Sequence, residues 1–194
     1  MTVRRRDSRT MYQDLIVSGF GGQGVLVIGR LLAHAAMTEG KHVTFFPSYG
    51  PIMRGGTANC TVVVSSGKPI GSPILRNPQA AILMNLPSVA GFEEKVKTGG
   101  LILYNSDLVS EADSKRTGVS KVFIPANTLG EEAGSGMAAN MVMMGAFIEI
   151  TSVVGIDSAL GSLKEVVGER HIDLSQADKA ALIKGSEFAK TCIS

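Results

Sequence analysis

The sequence predicts an α/β protein: a three-layer α/β/α Rossmann-like sandwich with a mainly parallel sheet and a helical C-terminal third. Three observations point there. Short apolar runs of strand type alternate with stretches of helical periodicity as far as Pro125. A glycine-rich turn, GFGGQG at 19–24, follows the first apolar run directly and opens the first helical stretch. From Met137 onward the apolar residues recur at helical spacing alone.

Taken in order, residues 14–18 (DLIVS) form a continuous apolar run of the kind found in strands covered on both faces. In the next stretch, 25–40, Val25, Ile28, Leu32, Ala35 and Ala36 recur at helical spacing, and Gly40 is placed to stop the helix. A second strand, HVTFF at 42–46, is expected to end at Pro47. Residues 57–65 (TANCTVVVS) are rich in β-branched side chains, and the turn chemistry of SSGKPIGSP after them allows one antiparallel strand. Further strands are expected at 80–85, 101–105 and 119–125, with a helix-like stretch at 89–100 between the first two. Three helical runs follow, at 137–155, 160–170 and 175–190. In the first, Met137, Met141, Met144 and Ile148 share a face read as core-facing, Met143 lies off it, and Asn140 is read as a helix cap, with a contact to ligand as the alternative. No repeat or linker divides the chain, so 12–194 is read as one domain behind a leader, 1–11, expected to be disordered.

Composition narrows the function. With 194 residues and 44% hydrophobic content, the chain can bury a sizeable core. Its net charge of +2 is a property of one end, because Arg4, Arg5, Arg6 and Arg9 face a single acid, Asp7, in the first ten residues. That clustering argues against nucleic acid as a partner. MTVRRRDSRT lacks the apolar segment of a signal peptide, and no long uncharged apolar stretch follows, so no membrane span is expected and a cytoplasmic protein is. Cys60 and Cys192 form no CxxC pair and are read as reduced thiols, with no metal site in the chain. His34, His42 and His171 stand at neither triad nor ligand spacing, and no GxSxG elbow accompanies Ser48, Ser65 or Ser66. No catalytic residue is assigned.

The chemistry lies in two loops. Gly19, Gly21 and Gly24 satisfy GxGxxG between a strand and a helix, where the glycines permit a tight turn, let phosphates approach the backbone and let the helix pack closely. The free N–H groups of the helix start then face an anion. An NAD site would add an acid after the second strand; Pro47 and Ser48 stand there, and Glu39 lies before the strand. The Lys-Ser/Thr pair of a Walker A loop is missing as well. A free-standing Rossmann-like NAD(P)-binding oxidoreductase and a ligand-free turn stay open as alternatives. The second loop, within PSYGPIMRGGTANCTV at 47–62, offers Tyr49 as a stacking surface and Arg54 as an anion fork, and it should share a crevice with the glycine turn.

Together GFGGQGV, SYGPIMRGGTANCTV and the later AANMVMMGA resemble the gamma subunit of the 2-oxoacid:ferredoxin oxidoreductases, the family of the pyruvate, 2-oxoglutarate, 2-oxoisovalerate and indolepyruvate enzymes. The resemblance runs from Tyr12 to Lys190 and makes 12–194 a gamma-type domain. Ile52 departs from it, standing where the family often has an acid. The resemblance implies a non-catalytic subunit of a complex that oxidatively decarboxylates a 2-oxoacid, here preferentially 2-oxoglutarate, to an acyl-coenzyme A. Thiamine diphosphate and the iron–sulfur clusters then belong to partner subunits, alpha, beta and a ferredoxin-like delta, and ferredoxin takes the electrons. Coenzyme A is the ligand implied for this chain, with Gly19, Gly21, Gly22, Gln23 and Gly24 toward its phosphates and Tyr49, Arg54, Gly55 and Gly56 nearby.

Overall fold

The computed structural model describes residues 11–48, 57–167 and 172–193. The expected leader lies outside them except for Met11, whose N–H donates to Ser66 Oγ at 2.8 Å and whose carbonyl accepts from Ser66 N at 2.9 Å. His171 lies outside them too.

The apolar run after Met11 becomes β1, Tyr12–Phe20, and the glycine turn leads into α1, Val25–Thr38. α1 stops as expected. Gly40 takes φ +71°, its N–H donates to Met37 O at 2.9 Å, and Lys41 N donates to Ala36 O at 3.0 Å, the paired bonds of a Schellman end. Two strands follow, β2 (His42–Ser48) and β3 (Thr57–Ser65). β2 does not end before Pro47 but runs through it, because it is the edge strand of the sheet, where a residue without an N–H breaks no ladder.

β4 is Ala80–Leu83, shorter than expected because Asn85 already caps α2, Leu86–Phe92. Asn85 Oδ1 accepts from Ser88 N at 3.0 Å, and Pro87 sits in the first turn, where its missing N–H costs nothing. The helix therefore starts earlier than the stretch 89–100, and a single 3-10 turn, Glu93–Lys95, ends it. β5 (Leu101–Asn105) and β6 (Ser120–Ile124) complete the sheet, and α3, Ala126–Glu132, follows unannounced by periodicity. Its start is capped from a distance: Asp107 Oδ2 accepts from Asn127 N at 2.7 Å and Thr128 N at 3.0 Å.

The strand order is β2-β3-β1-β4-β5-β6, and every strand but β3 runs the same way. The alternation along β1 sorts the core into two layers. Leu15 and Val17 face the main helical layer, while Ile16 faces a smaller cluster with Leu83, Val89, Ile102 and Tyr104.

The main layer is built by α1, α4 (Ala139–Thr151), α5 (Ile156–Val167) and α6 (Ile172–Ile193). From Ala139 through Ile148 α4 is buried on all sides, so Met143 is as enclosed as Met141 and Met144. Met137 precedes α4 and is 80% exposed, so the methionine face is core only from Met141 onward. Asn140 is not a cap either; Ala138 holds the cap position, without a side-chain bond. α4 meets α6 backbone to backbone. A Cβ on Gly145 would sit 1.9 Å from Leu182 O, and one on Gly185 would sit 2.0 Å from Val142 O.

Candidate functional site

The glycine turn closes with Gln23 N donating to Phe20 O at 3.2 Å. Two of its glycines have backbones that L side chains resist: Gly22 at φ +96° and Gly24, the N-cap of α1, at φ +70°. Gly19 serves packing instead, since a Cβ there would meet Val25 and Met84 within 2.9 Å. Gly21 and Gly22 are exposed, so they and Gly24 form the surface of the turn.

The position of the turn follows from topology. From β1 the chain crosses by α1 toward β2, whereas from the adjacent β4 it proceeds the other way, to β5. The carboxyl ends of β1 and β4 thus flank the switch point, the crevice where open α/β sheets bind ligands. Gln23 spans it: its Oε1 accepts from Phe20 N at 2.7 Å and from Asn85 Nδ2 at 2.9 Å. That oxygen is committed to holding the turn against the start of α2.

Tyr49, Arg54, Gly55 and Gly56 lie outside the described residues. The residues flanking them stand beside the turn, since Thr57 pairs with Phe20, and Ser48 pairs with Asn59, itself paired with Ser18. The antiparallel β3 occupies the place beside β1 that a second parallel strand would take. No Asp or Glu occurs from Gly40 through Phe92. Glu39 is engaged elsewhere, with Lys41 Nζ at 2.6 Å and Gly155 N at 2.7 Å.

Beside the turn lies a cavity of about 250 Å³ lined by Gly22, Gly24, Val27, Arg30, Asn140 and Asp178, among others. Two helix N-termini meet at it, those of α1 and α4, brought together by the contact of Asn140 with Gly24. Val27 N and Met141 N fold back on Gly24 O and Ala138 O at 2.9 Å each, and the N–H groups before them in each first turn have no intrahelical acceptor. Both helix dipoles favour an anion here. Arg30 adds an exposed cation, while the Asp178 carboxyl, its pKa raised by burial, lines another part of the wall.

Asn85, Arg30 and Asp178 are the residues that sequence reasoning does not place at the site, and Asn140 is offered there only as the alternative to a helix cap. Asn85 carries a readable signal, an Asn before a Leu-Pro helix start; the others reach the cavity through packing. A larger cavity, about 640 Å³, lies at the opposite end of the strands, lined by Gln79, Lys97, Gly100, Lys121 and Cys192. Among the described residues no group of three or more His, Cys, Asp or Glu side chains converges as a metal site would require. Cys60 is enclosed, and burial pushes its thiol up to about 12, while Cys192 is exposed on α6.

A glycine turn at the switch point of a mainly parallel sheet, opening a helix onto a small cavity, defines an α/β protein with a Rossmann-like architecture. More narrowly, the chain belongs to the pyruvate ferredoxin/flavodoxin oxidoreductase family, whose model matches residues 14–188. It is 40% identical over 141 residues to the ketoisovalerate oxidoreductase subunit VorA of Methanothermobacter marburgensis, covering 73% of this chain and 29% of that subunit. The chain thus spans less than a third of the length of that relative. It is 32% identical over 184 residues to the 2-oxoglutarate synthase subunit KorC of Methanothermobacter thermautotrophicus, covering 90% of this chain and 97% of that one. Among solved structures, the keto/oxoacid ferredoxin oxidoreductase gamma subunit of Geobacter sulfurreducens superposes with a TM-score of 0.78 at 28% identity, over 92% of this chain and 99% of that one. The 2-oxoglutarate:ferredoxin oxidoreductase of Magnetococcus marinus, with 2-oxoglutarate, coenzyme A and succinyl-CoA bound, shares the fold at a TM-score of 0.81 and 22% identity, over 95% of this chain and 32% of that one.

Proposed function

We propose that this chain works as the gamma subunit of a multi-subunit 2-oxoacid:ferredoxin oxidoreductase and contributes its glycine turn to the coenzyme A site. The observation that carries the reading is the convergence of two helix N-termini on a glycine turn, with no acid after β2 at the place where a ribose-binding carboxylate would stand. Phosphate chemistry is supported and nicotinamide dinucleotide chemistry is not, which speaks against a free-standing NAD(P) oxidoreductase. A cavity of about 250 Å³ is below the usual size of a small-molecule site. It suits one portion of a long ligand whose remainder rests on other chains.

Gly21, Gly22 and Gly24 meet the phosphates in this reading, Gln23 holds the turn in shape, and Tyr49, Arg54, Gly55 and Gly56 belong to the neighbouring loop. The two cysteines of the chain lie apart and cannot supply the four thiolates of a cluster, so the iron–sulfur chemistry falls to partner subunits; the family resemblance assigns thiamine diphosphate to the alpha, beta and delta partners as well, with ferredoxin as acceptor. Among the described residues no helix is long and apolar enough to cross a membrane, in keeping with a complex placed in the cytoplasm.

The substrate that the resemblance alone favours is 2-oxoglutarate; relatives named for 2-oxoglutarate, ketoisovalerate and pyruvate all match, so the acid is to be fixed by assay. Purification of the tagged chain from its native host should bring down the partner subunits. The eluate should reduce ferredoxin with 2-oxoglutarate and coenzyme A faster than with 2-oxoisovalerate or pyruvate. Recovery of the chain alone, with NADH-linked activity, would overturn the proposal.

A further inference from the structure

We propose that Asn140 is a ligand-contact residue of the glycine-turn cavity, recognising a neutral edge of the ligand that offers a hydrogen-bond donor beside an acceptor. The inference rests on the coenzyme A reading and deepens it. Asn140 is the one polar side chain between Ala138 and Ile148, in a helix otherwise enclosed by apolar packing. It is only 7% exposed and hydrogen-bonds no described residue, and it is not among the fully enclosed polar atoms without a partner, so its amide opens onto the cavity rather than onto protein. Its carboxamide lies against the Cα of Gly24, on the wall of the cavity, where a Cβ on Gly24 would stand 2.1 Å from Nδ2.

A side chain needed only to fill this space beside Val27 and Met141 has no use for an amide. The carboxamide presents N–H donors and a carbonyl acceptor side by side. That pair complements the N6/N7 edge of adenine or a secondary amide, and coenzyme A carries the first in its nucleotide half and the second in its pantetheine half. The anion is received by the first turns of α1 and α4, and Asn140 belongs to one of them. Phosphate and neutral edge are thus read within a single cavity.

The test is calorimetric titration of the co-purified complex with coenzyme A, adenosine 3′,5′-bisphosphate and 4′-phosphopantetheine, using wild type, Asn140→Leu and Asn140→Asp. Loss of a neutral hydrogen-bond pair should weaken coenzyme A about tenfold in Asn140→Leu. Asn140→Asp keeps the shape, loses the donors and sets a charge against an anionic ligand, so it should weaken binding at least as much. Only one of the two half-ligands should share the loss, and it identifies the edge that Asn140 reads. Wild-type affinity for coenzyme A in both variants would overturn the assignment alone. A loss shared equally by both half-ligands would mark a disturbed turn and overturn it too. If the wild-type complex binds no coenzyme A, the coenzyme reading itself falls.

Discussion

Replacing Gly24 by alanine perturbs the fold and the site at one atom. The backbone there has φ +70°, a left-handed conformation that costs an L residue about 1–2 kcal/mol. The new Cβ would also stand 2.1 Å from Asn140 Nδ2 and 2.6 Å from its Cγ, so turning the amide alone does not relieve the clash. The whole side chain must change rotamer or α4 must retreat, and overpacking of this kind costs about 1–3 kcal/mol. The expected total is about 2–5 kcal/mol, read as a lower denaturant midpoint or a melting temperature about 4–20 °C lower. Gly22→Ala is the internal control. Its φ is +96° but nothing lies within 4 Å of the added carbon, so it should cost only the conformational part, about 1–2 kcal/mol. Trimming Asn140 to alanine in the Gly24→Ala background should return part of the difference, as a double-mutant cycle. Equal stability of Gly24→Ala and Gly22→Ala, or no coupling to residue 140, would refute the reasoning.

Gly145→Ala drives a carbon into the carbonyl of Leu182 at 1.9 Å, which backbone cannot yield, so it should destabilise by about 3 kcal/mol or more in urea melts. Gly161→Ala, with open space at the same point of α5, should instead stabilise by about 0.5–1 kcal/mol. Asn85→Ala removes a helix cap and the bond that pins Gln23, so it should cost about 1–3 kcal/mol and weaken coenzyme A binding by calorimetry. Burial alone would raise the Glu93 carboxyl, but hydrogen bonds from the Ser114 and Tyr104 hydroxyls and Lys115 N outweigh it and hold the group below its ordinary value. Its stabilising contribution is therefore present above a pH of about 4.5 and lost as pH falls through the lower folded value. Glu93→Gln should flatten that acid limb in pH-dependent melts, and an unchanged limb would count against the network.

Much of the fold is written locally. The strands at 57–65 and 101–105 match residue for residue, because segments rich in β-branched and apolar side chains lie between turn residues, and α1 ends where Gly40 supplies a positive φ. What the sequence conceals is long-range. Nothing in HVTFF says that β3 lies between it and β1, and only that edge position lets the strand run through Pro47. The start of α3 depends on Asp107 from another connection, so no local cap announces it. The site divides in the same way. The glycines suggest a phosphate turn through their spacing, whereas Asn140 reads first as a helix cap and only second as a ligand contact until packing sets it against Gly24. Met143 looked peripheral because a single helical face was assumed, and α4 has none.

Calorimetric titration of the co-purified complex with coenzyme A and, separately, NADH tests the glycine-turn site most directly, with Gly21→Val as the comparison because that exposed position stands where phosphates would approach. The expected result is saturable binding of coenzyme A, weakened about tenfold or more in Gly21→Val, and no binding of NADH. Saturable binding of NADH, or coenzyme A affinity untouched by Gly21→Val, would contradict it.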